Sequence, residues 1–270
     1  MDVDILEFRV PVENSKALFV WDIEPTHTEA GIYDGLFAVF SSFGPLYMLK
    51  VSPNAPLHPP GFYALIKFYS AAHASKAQQQ TDGRRLFQSS PLKVRLSSKQ
   101  TPHFLYNSSK PLNHARCLEL ANHCLGFNGW TTDIITLKEL DNEEEESEEG
   151  GLRRLRFGCV VQLSFPQHEQ TTKGAAVLED SFTCTGPDVF LQRRCRLQRL
   201  VREKALVQAF STVLLILLGN GKVMVEVKQT PDQFVSDQTE GILQVNEFSW
   251  EEFPAVEEEF EDDEWDLTVS

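Results

Sequence analysis

No apolar run in this 270-residue chain is longer than the six residues Val213 to Leu218, far short of the ~20 that carry a helix across a bilayer. Met1 is followed by Asp2, Asp4, Glu7 and Glu13 rather than by basic and then apolar residues, so neither export nor a membrane partner is expected. Cysteine is sparse, five in all, which points to reduced thiols in cytosol or nucleus and not to a disulfide framework. There is no G-x-x-x-x-G-K-[ST] loop, H-E-x-x-H helix or G-x-S-x-G elbow, so nothing directs the chain toward ATPase, metalloprotease or hydrolase chemistry. Acids occur in solvated runs rather than as positioned acid/base pairs, and no enzymatic activity is expected. His114, Cys117, His123 and Cys124 share a short segment but lack the two-residue ligand knuckle and a second downstream pair, so neither a metal nor any other cofactor is expected. What remains, 41% hydrophobic and 24% charged residues, is the composition of a folded chain long enough for two modules.

The net charge of −14 is unevenly spread. Seven acids between Asp141 and Glu149 and ten between Glu251 and Asp266 occur without a single Lys or Arg; apart from those 17, 22 acids face 25 bases, a net of +3. From Leu152 to Lys228, 12 bases face 6 acids. Basic, foldable segments therefore alternate with acidic ones, and an anionic partner fits the former.

The first 14 residues are weakly patterned and read as a lead-in. Lys16 to Ile23 then reads as a strand, Thr28 to Phe43 as a helix capped by Thr28 and closed at Gly44-Pro45, and Leu46 to Val51 as a strand. A proline-rich loop follows, then a strand at Phe62 to Tyr69, a helix at Ala71 to Gln80 and a strand at Leu92 to Leu96. This βαββαβ order is ferredoxin-like. Leu18-Phe19-Val20-Trp21-Asp22-Ile23 and Gly61-Phe62-Tyr63-Ala64-Leu65-Ile66-Lys67-Phe68 resemble the two signature strands of an RNA-recognition motif, placed at 16–98. Leu65 and Gly61 depart from the longer signature, where an aromatic and a basic residue are usual. The strand phases predict Phe19, Trp21 and Tyr63 on the open sheet face with Lys67, Lys93 and Arg95, a surface suited to stacking single-stranded bases or to a protein partner.

Residues 99–111 read as a linker. Leu112 to Leu125 reads as a helix ended by Gly126, Ile134 to Leu140 as a strand, 141–151 as an acidic loop, and Leu155 to Phe165 and Gly174 to Leu178 as strands. Gln192 to Leu218 reads as one long helix, basic at its start and apolar at its end, and Lys222 to Lys228 as a last strand. Arg116-Cys117-Leu118-Glu119-Leu120-Ala121-Asn122 with Leu125-Gly126-Phe127-Asn128-Gly129-Trp130 resembles the opening of the DNA-binding region of the Rad-fifty-two single-strand annealing proteins. An RNA-recognition motif ahead of such a segment resembles the layout of the Rad-fifty-two motif-containing protein family. The resemblance implies an α+β chain: an RNA-recognition motif, then an antiparallel sheet-plus-long-helix domain at 112–228 with a groove for single-stranded DNA and a tendency to form homo-oligomers. It also places Arg116 where those proteins carry a groove arginine. By charge density, Arg153, Arg154 and Arg156 on a strand and Arg193, Arg194, Arg196, Arg199 and Arg202 on the helix join it as phosphate contacts, or else form a solvated helix face or a nuclear-import signal. Ser211, Thr212 and Leu215 stand where the annealing proteins carry later Lys and Arg residues.

Residues 229–270 read as an acidic, disordered tail with Phe248, Trp250, Phe253, Phe260 and Trp265 interleaved among the acids. It reads as a docking peptide for a repair or replication protein, as an internal mimic of nucleic acid, or as a solubilising segment. Together these expectations describe a non-enzymatic binder of single-stranded DNA and RNA, acting, as the resemblance implies, in DNA recombination, repair or damage response, in the nucleus and also in cytoplasm and nucleolus. The alternatives are an RNA-processing factor and a protein–protein adaptor using the sheet face and the tail.

Overall fold

The computed structural model describes residues 3–56, 58–97, 110–140, 152–183, 186–219 and 221–228; most of the expected linker, the acidic loop and the tail lie outside them. The first module is built as the alternation of its strands dictates. Strands β2 (Ala17–Ile23), β3 (Leu46–Pro53), β4 (Phe62–Phe68) and β5 (Lys93–Leu96) form one antiparallel sheet in the order β3-β4-β2-β5. Strand β1 (Val3–Glu7) precedes them in the chain and belongs elsewhere. Helices α1 (Glu29–Phe40) and α2 (Ala71–Thr81) cover one face of the sheet. Thr28 Oγ1 accepts from the Gly31 N–H and Ser70 Oγ from the His73 N–H, so each helix begins on a side-chain cap. Leu18, Val20, Ile66, Val94, Ile32, Leu36 and Phe40 fill the space between sheet and helices, leaving the alternate positions of every strand on the open face. This is the ferredoxin-like βαββαβ arrangement that the periodicity predicts.

The second module runs α3 (His114–Leu125), β6 (Thr131–Glu139), β7 (Leu152–Phe165), β8 (Gln170–Thr183) and α4 (Pro187–Ser211), with β6-β7-β8 an antiparallel meander. Leu155, Phe157, Cys159, Val161, Leu163 and Phe165 alternate along β7 and are buried in the same core as Leu197, Val201, Ala205, Ala209 and Phe210 of α4. The helix lies unusually close to the sheet at Gly174, where a Cβ would sit 2.2 Å from the Ala205 carbonyl oxygen and 2.4 Å from the Ala209 nitrogen.

Two sequence expectations change here. Helix α4 stops at Ser211 instead of reaching Leu218, and Val213–Leu218 is strand β9. A short aliphatic run reads equally as helix or strand, and here it is a strand with Val213 and Leu215 buried and Leu214 and Ile216 half-buried. The Thr212 hydroxyl turns back onto the Ala209 carbonyl at 2.8 Å, closing the helix. Leu215 is therefore a core strand residue, not a helix position. The N-terminal residues are no lead-in: β1 pairs antiparallel with β9, Leu6 opposite Leu215, and β10 (Val223–Val227) pairs with the other edge of β9. Phe8 then enters the second core, its ring stacked 4.6 Å from that of Phe210.

The first module is consequently inserted between β1 and the rest of the second. The chain leaves and returns side by side, with the Val10 N–H on the Lys110 carbonyl (3.0 Å) and the Leu112 N–H on the Phe8 carbonyl (3.2 Å). The two modules also touch. Asp4 of β1 accepts a hydrogen bond from buried Ser70, and Tyr69 belongs to the second core, edge-on to Tyr47 at 5.7 Å.

Candidate nucleic-acid interface

On the open face of the first sheet, three aromatic rings form a continuous platform. Phe19 lies 5.6 Å from Trp21 with planes 25° apart, and 5.6 Å from Tyr63 at 38°. The cross-strand register brings them together: Phe19 faces Leu65 on β4 and Arg95 on β5, and Trp21 faces Lys93. The Arg95 guanidinium sits 5.0 Å from the Trp21 ring and 5.8 Å from that of Phe19, leaving a cation at the edge of a π surface. All three rings are partly exposed. A flat, half-exposed aromatic row beside exposed cations can hold unstacked bases and their phosphates.

The cations differ in availability. Lys93 is exposed and pairs with Asp22 at 2.8 Å, a loose surface pair. Lys67 shares the face by phase but is 5% exposed, and burial brings its pKa down to about 8, with Glu13 opposing that shift and Lys16 adding to it. It is part of the platform's foundation rather than an open cation. Lys50, opposite Leu65 on β3, reaches the same face and was missed by the sequence reading; the apolar phase of Val51 was the signal for it.

The second module disperses its arginines. Because Leu155 and Phe157 point into the core, Arg154 and Arg156 lie on the sheet face away from α4, Arg154 paired with Glu179 at 2.6 Å. Arg153 lies on the opposite side, its guanidinium 5.6 Å from the Phe190 ring. On α4, Arg193 pairs with Asp180 and packs on Phe182, while Arg194 pairs with Glu139 and packs on Phe157, so both tie the helix to the sheet. Arg196 is exposed. Arg199 and Arg202, further along α4, border a cleft also lined by Ile134, Val161 and Leu206. Arg116 sits in the first turn of α3, its N–H capped by Asn113, its guanidinium 2.6 Å from Glu119 and 5.8 Å from the Tyr47 ring. It bridges the two modules.

The Leu-Ala-Asn and Gly-Phe-Asn-Gly-Trp segments meet in space for a structural reason. The Trp130 indole N–H donates to Asn122 Oδ1 at 3.0 Å and its ring packs edge-on against Phe210. Gly126 caps α3 at φ +75°, and Gly129 passes so close to Leu125 that a Cβ would lie 2.3 Å from its carbonyl oxygen. His114, Cys117, His123 and Cys124 form no metal cluster; among the described residues no group of three or more potential ligands converges. Burial holds the Cys117 thiol up at about 12. No helix among the described residues is long and apolar enough to cross a membrane.

The chain is similar in sequence to known proteins. Residues 112–214, which span α3 to the start of β9, match a family model described as the RDM1 DSRM domain. The chain is 50% identical over 277 residues to RAD52 motif-containing protein 1 of Danio rerio, covering 99% of this chain and 98% of that protein. It is 43% identical to the Gallus gallus protein of the same name (96% and 94%) and 36% identical to the Homo sapiens one (94% and 93%). Among solved structures, the N-terminal RNA-binding domain of a hypothetical protein aligns at 30% identity over 36% of this chain and 89% of that one, with a TM-score of 0.28. The RNA15 RRM aligns at 26% identity over 31% and 91%, with a TM-score of 0.26.

Proposed function

The chain belongs to the RAD52 motif-containing protein 1 family, and from that membership together with its aromatic sheet face we propose that it is a non-enzymatic binder of single-stranded DNA and RNA. The observation that carries this reading is the Trp21–Phe19–Tyr63 platform with Arg95 at its edge. Bases stack on the rings with little sequence preference, while Arg95, Lys93 and Lys50 neutralise the phosphates that pass between them. The second module adds cations on the exposed side of α4, chiefly Arg196, Arg199 and Arg202. Contact through Arg116, Arg154, Arg193 or Arg194 requires a phosphate to displace Glu119, Glu179, Asp180 or Glu139. A role in DNA recombination, repair or damage response, in the nucleus and also in cytoplasm and nucleolus, and self-association rest on the motif resemblance around Asn122 and Trp130.

The test is fluorescence anisotropy with labelled single-stranded DNA and RNA of one sequence at two salt concentrations. Each stacked base contributes ~1–3 kcal/mol, so Phe19→Ala/Tyr63→Ala weakens binding at least about tenfold. Arg95→Ala lowers the slope of log affinity against log salt by about one. Wild-type protein that binds neither strand, or a double variant that binds as tightly as wild type, would overturn the proposal.

A further inference from the structure

Helix α4, strands β6 and β7 and His114 at the start of α3 border an open cleft of about 250 Å³ on the second module. Its lining combines aliphatic Ile134, Val161 and Leu206 with charged Arg199, Arg202 and Glu203. Ile134 is half exposed, whereas Val161 and Leu206 beside it are buried. The charges of the lining are loosely held: Arg199 meets Glu203 only at 3.7 Å, with its own side chain 65% exposed, and the Arg202 Nε–H donates to the Gln198 carbonyl at 3.1 Å. Arg154, Arg193 and Arg194, by contrast, are each matched by a carboxylate from another element.

A cleft with room for one aromatic ring, edged by exposed Ile134 and flanked by two arginines, fits a ligand that combines a ring with carboxylates. The chain itself supplies one. Between Trp250 and Asp266 it carries Trp250, Phe253, Phe260 and Trp265 among ten acids and no Lys or Arg. The sequence between the end of the described chain at Lys228 and Trp250 extends up to ~70 Å at ~3.3 Å per residue, whereas α4, at 25 residues, is only ~37 Å long. The acidic segment therefore reaches any point along the helix.

We propose that the acidic aromatic segment 250–266 docks in this cleft, seating one of its indole rings on Ile134, Val161 and Leu206 and exchanging its carboxylates for Glu203 on Arg199 and Arg202. The docked segment occupies the cations that the preceding reading gives to phosphates on α4, and so regulates the second module while leaving the aromatic face of the first module open. The inference rests on that reading only for its regulatory consequence, since the test of docking needs no nucleic acid.

The experiment uses the full chain labelled with 5-fluorotryptophan. Its four indoles are Trp21, Trp130, Trp250 and Trp265, assigned by single Trp→Phe substitutions and followed by fluorine NMR. A synthetic peptide of residues 246–270 gives the undocked reference. Docking predicts that Trp250 or Trp265 is shifted and broadened relative to the peptide. It also predicts a return to the peptide position at high salt, in Arg199→Glu/Arg202→Glu, and in a variant with Glu261, Asp262, Asp263 and Glu264 changed to their amides. The last variant leaves the folded modules untouched, so its reading is independent of any effect of the arginine changes on stability. Both tail indoles at the peptide position in wild type would overturn the proposal, and so would a shift that survives all three treatments. Tail indoles at the peptide position combined with weaker single-stranded DNA binding by Arg199→Glu/Arg202→Glu would assign the cleft to nucleic acid instead.

Discussion

Phe8 lies nine residues ahead of the first strand of the first module, yet it is 1% exposed in the core of the second, where its ring stacks on Phe210. Phe8→Ala removes that stack and leaves a cavity bordered by rigid sheet and helix, so a cost of ~3–5 kcal/mol follows from the usual penalty for emptying an aromatic core site. For a folded chain of this size that corresponds to a fall in Tm of roughly 6–20 °C. The location of the loss is the sharper part of the prediction. Hydrogen exchange on the variant should accelerate first in β9, β10 and the C-terminal half of α4, which Phe8 and β1 hold together, while the amides of β2, β4 and β5 keep nearly native protection. Exchange that accelerates first in β2–β5, or a destabilisation below ~1 kcal/mol, would refute the inserted arrangement of the modules.

Other outcomes follow from the same structure. Gly174→Ala pushes a methyl group into the α4 backbone and should cost ~1–3 kcal/mol in urea denaturation, whereas Lys173→Ala, exposed next to it, should change little. A double-mutant cycle with Asn122→Ala and Trp130→Phe should show a coupling of ~1 kcal/mol, the net strength of their hydrogen bond; zero coupling would remove the structural reading of the motif. Lys67, whose pKa falls to about 8 from 10.5, binds fewer protons folded than unfolded between those values, so its contribution to stability rises with pH from 8 to 10.5. Lys67→Met should flatten that rise in a pH series of thermal melts, and an unchanged profile would show that the ammonium is not penalised by burial.

Most of the first module was legible because each strand alternates and each helix has a cap and a stop. The platform followed from phase alone: with Leu18 and Val20 inward, Phe19 and Trp21 must point outward. In the second module α3 with its Gly126 stop, β6, β7, β8, β10 and the body of α4 were legible in the same way, whereas the sheet that β1 and β9 form was not. Strand β1 escaped because its partner β9 lies about 210 residues away, and pairing across that distance leaves no periodic mark in a five-residue strand. Strand β9 escaped because a run apolar on both faces reads equally as the continuation of a helix. Charge density located the arginines but not their counter-charges. Glu139, Glu179 and Asp180, which hold Arg194, Arg154 and Arg193, come from other strands, and only the folded register shows which cations remain at an open edge.

The central claim is that single-stranded nucleic acid lies on the Trp21–Phe19–Tyr63 platform. Photo-crosslinking with 5-iodouridine RNA and 5-iododeoxyuridine DNA of one sequence, followed by peptide mapping, tests it at the level of the stacked ring. Adducts on Phe19, Trp21 or Tyr63 that vanish in Phe19→Ala/Tyr63→Ala are the expected result. Adducts confined to the second module, or none on β2 and β4 under conditions where the oligonucleotide is bound, would contradict it.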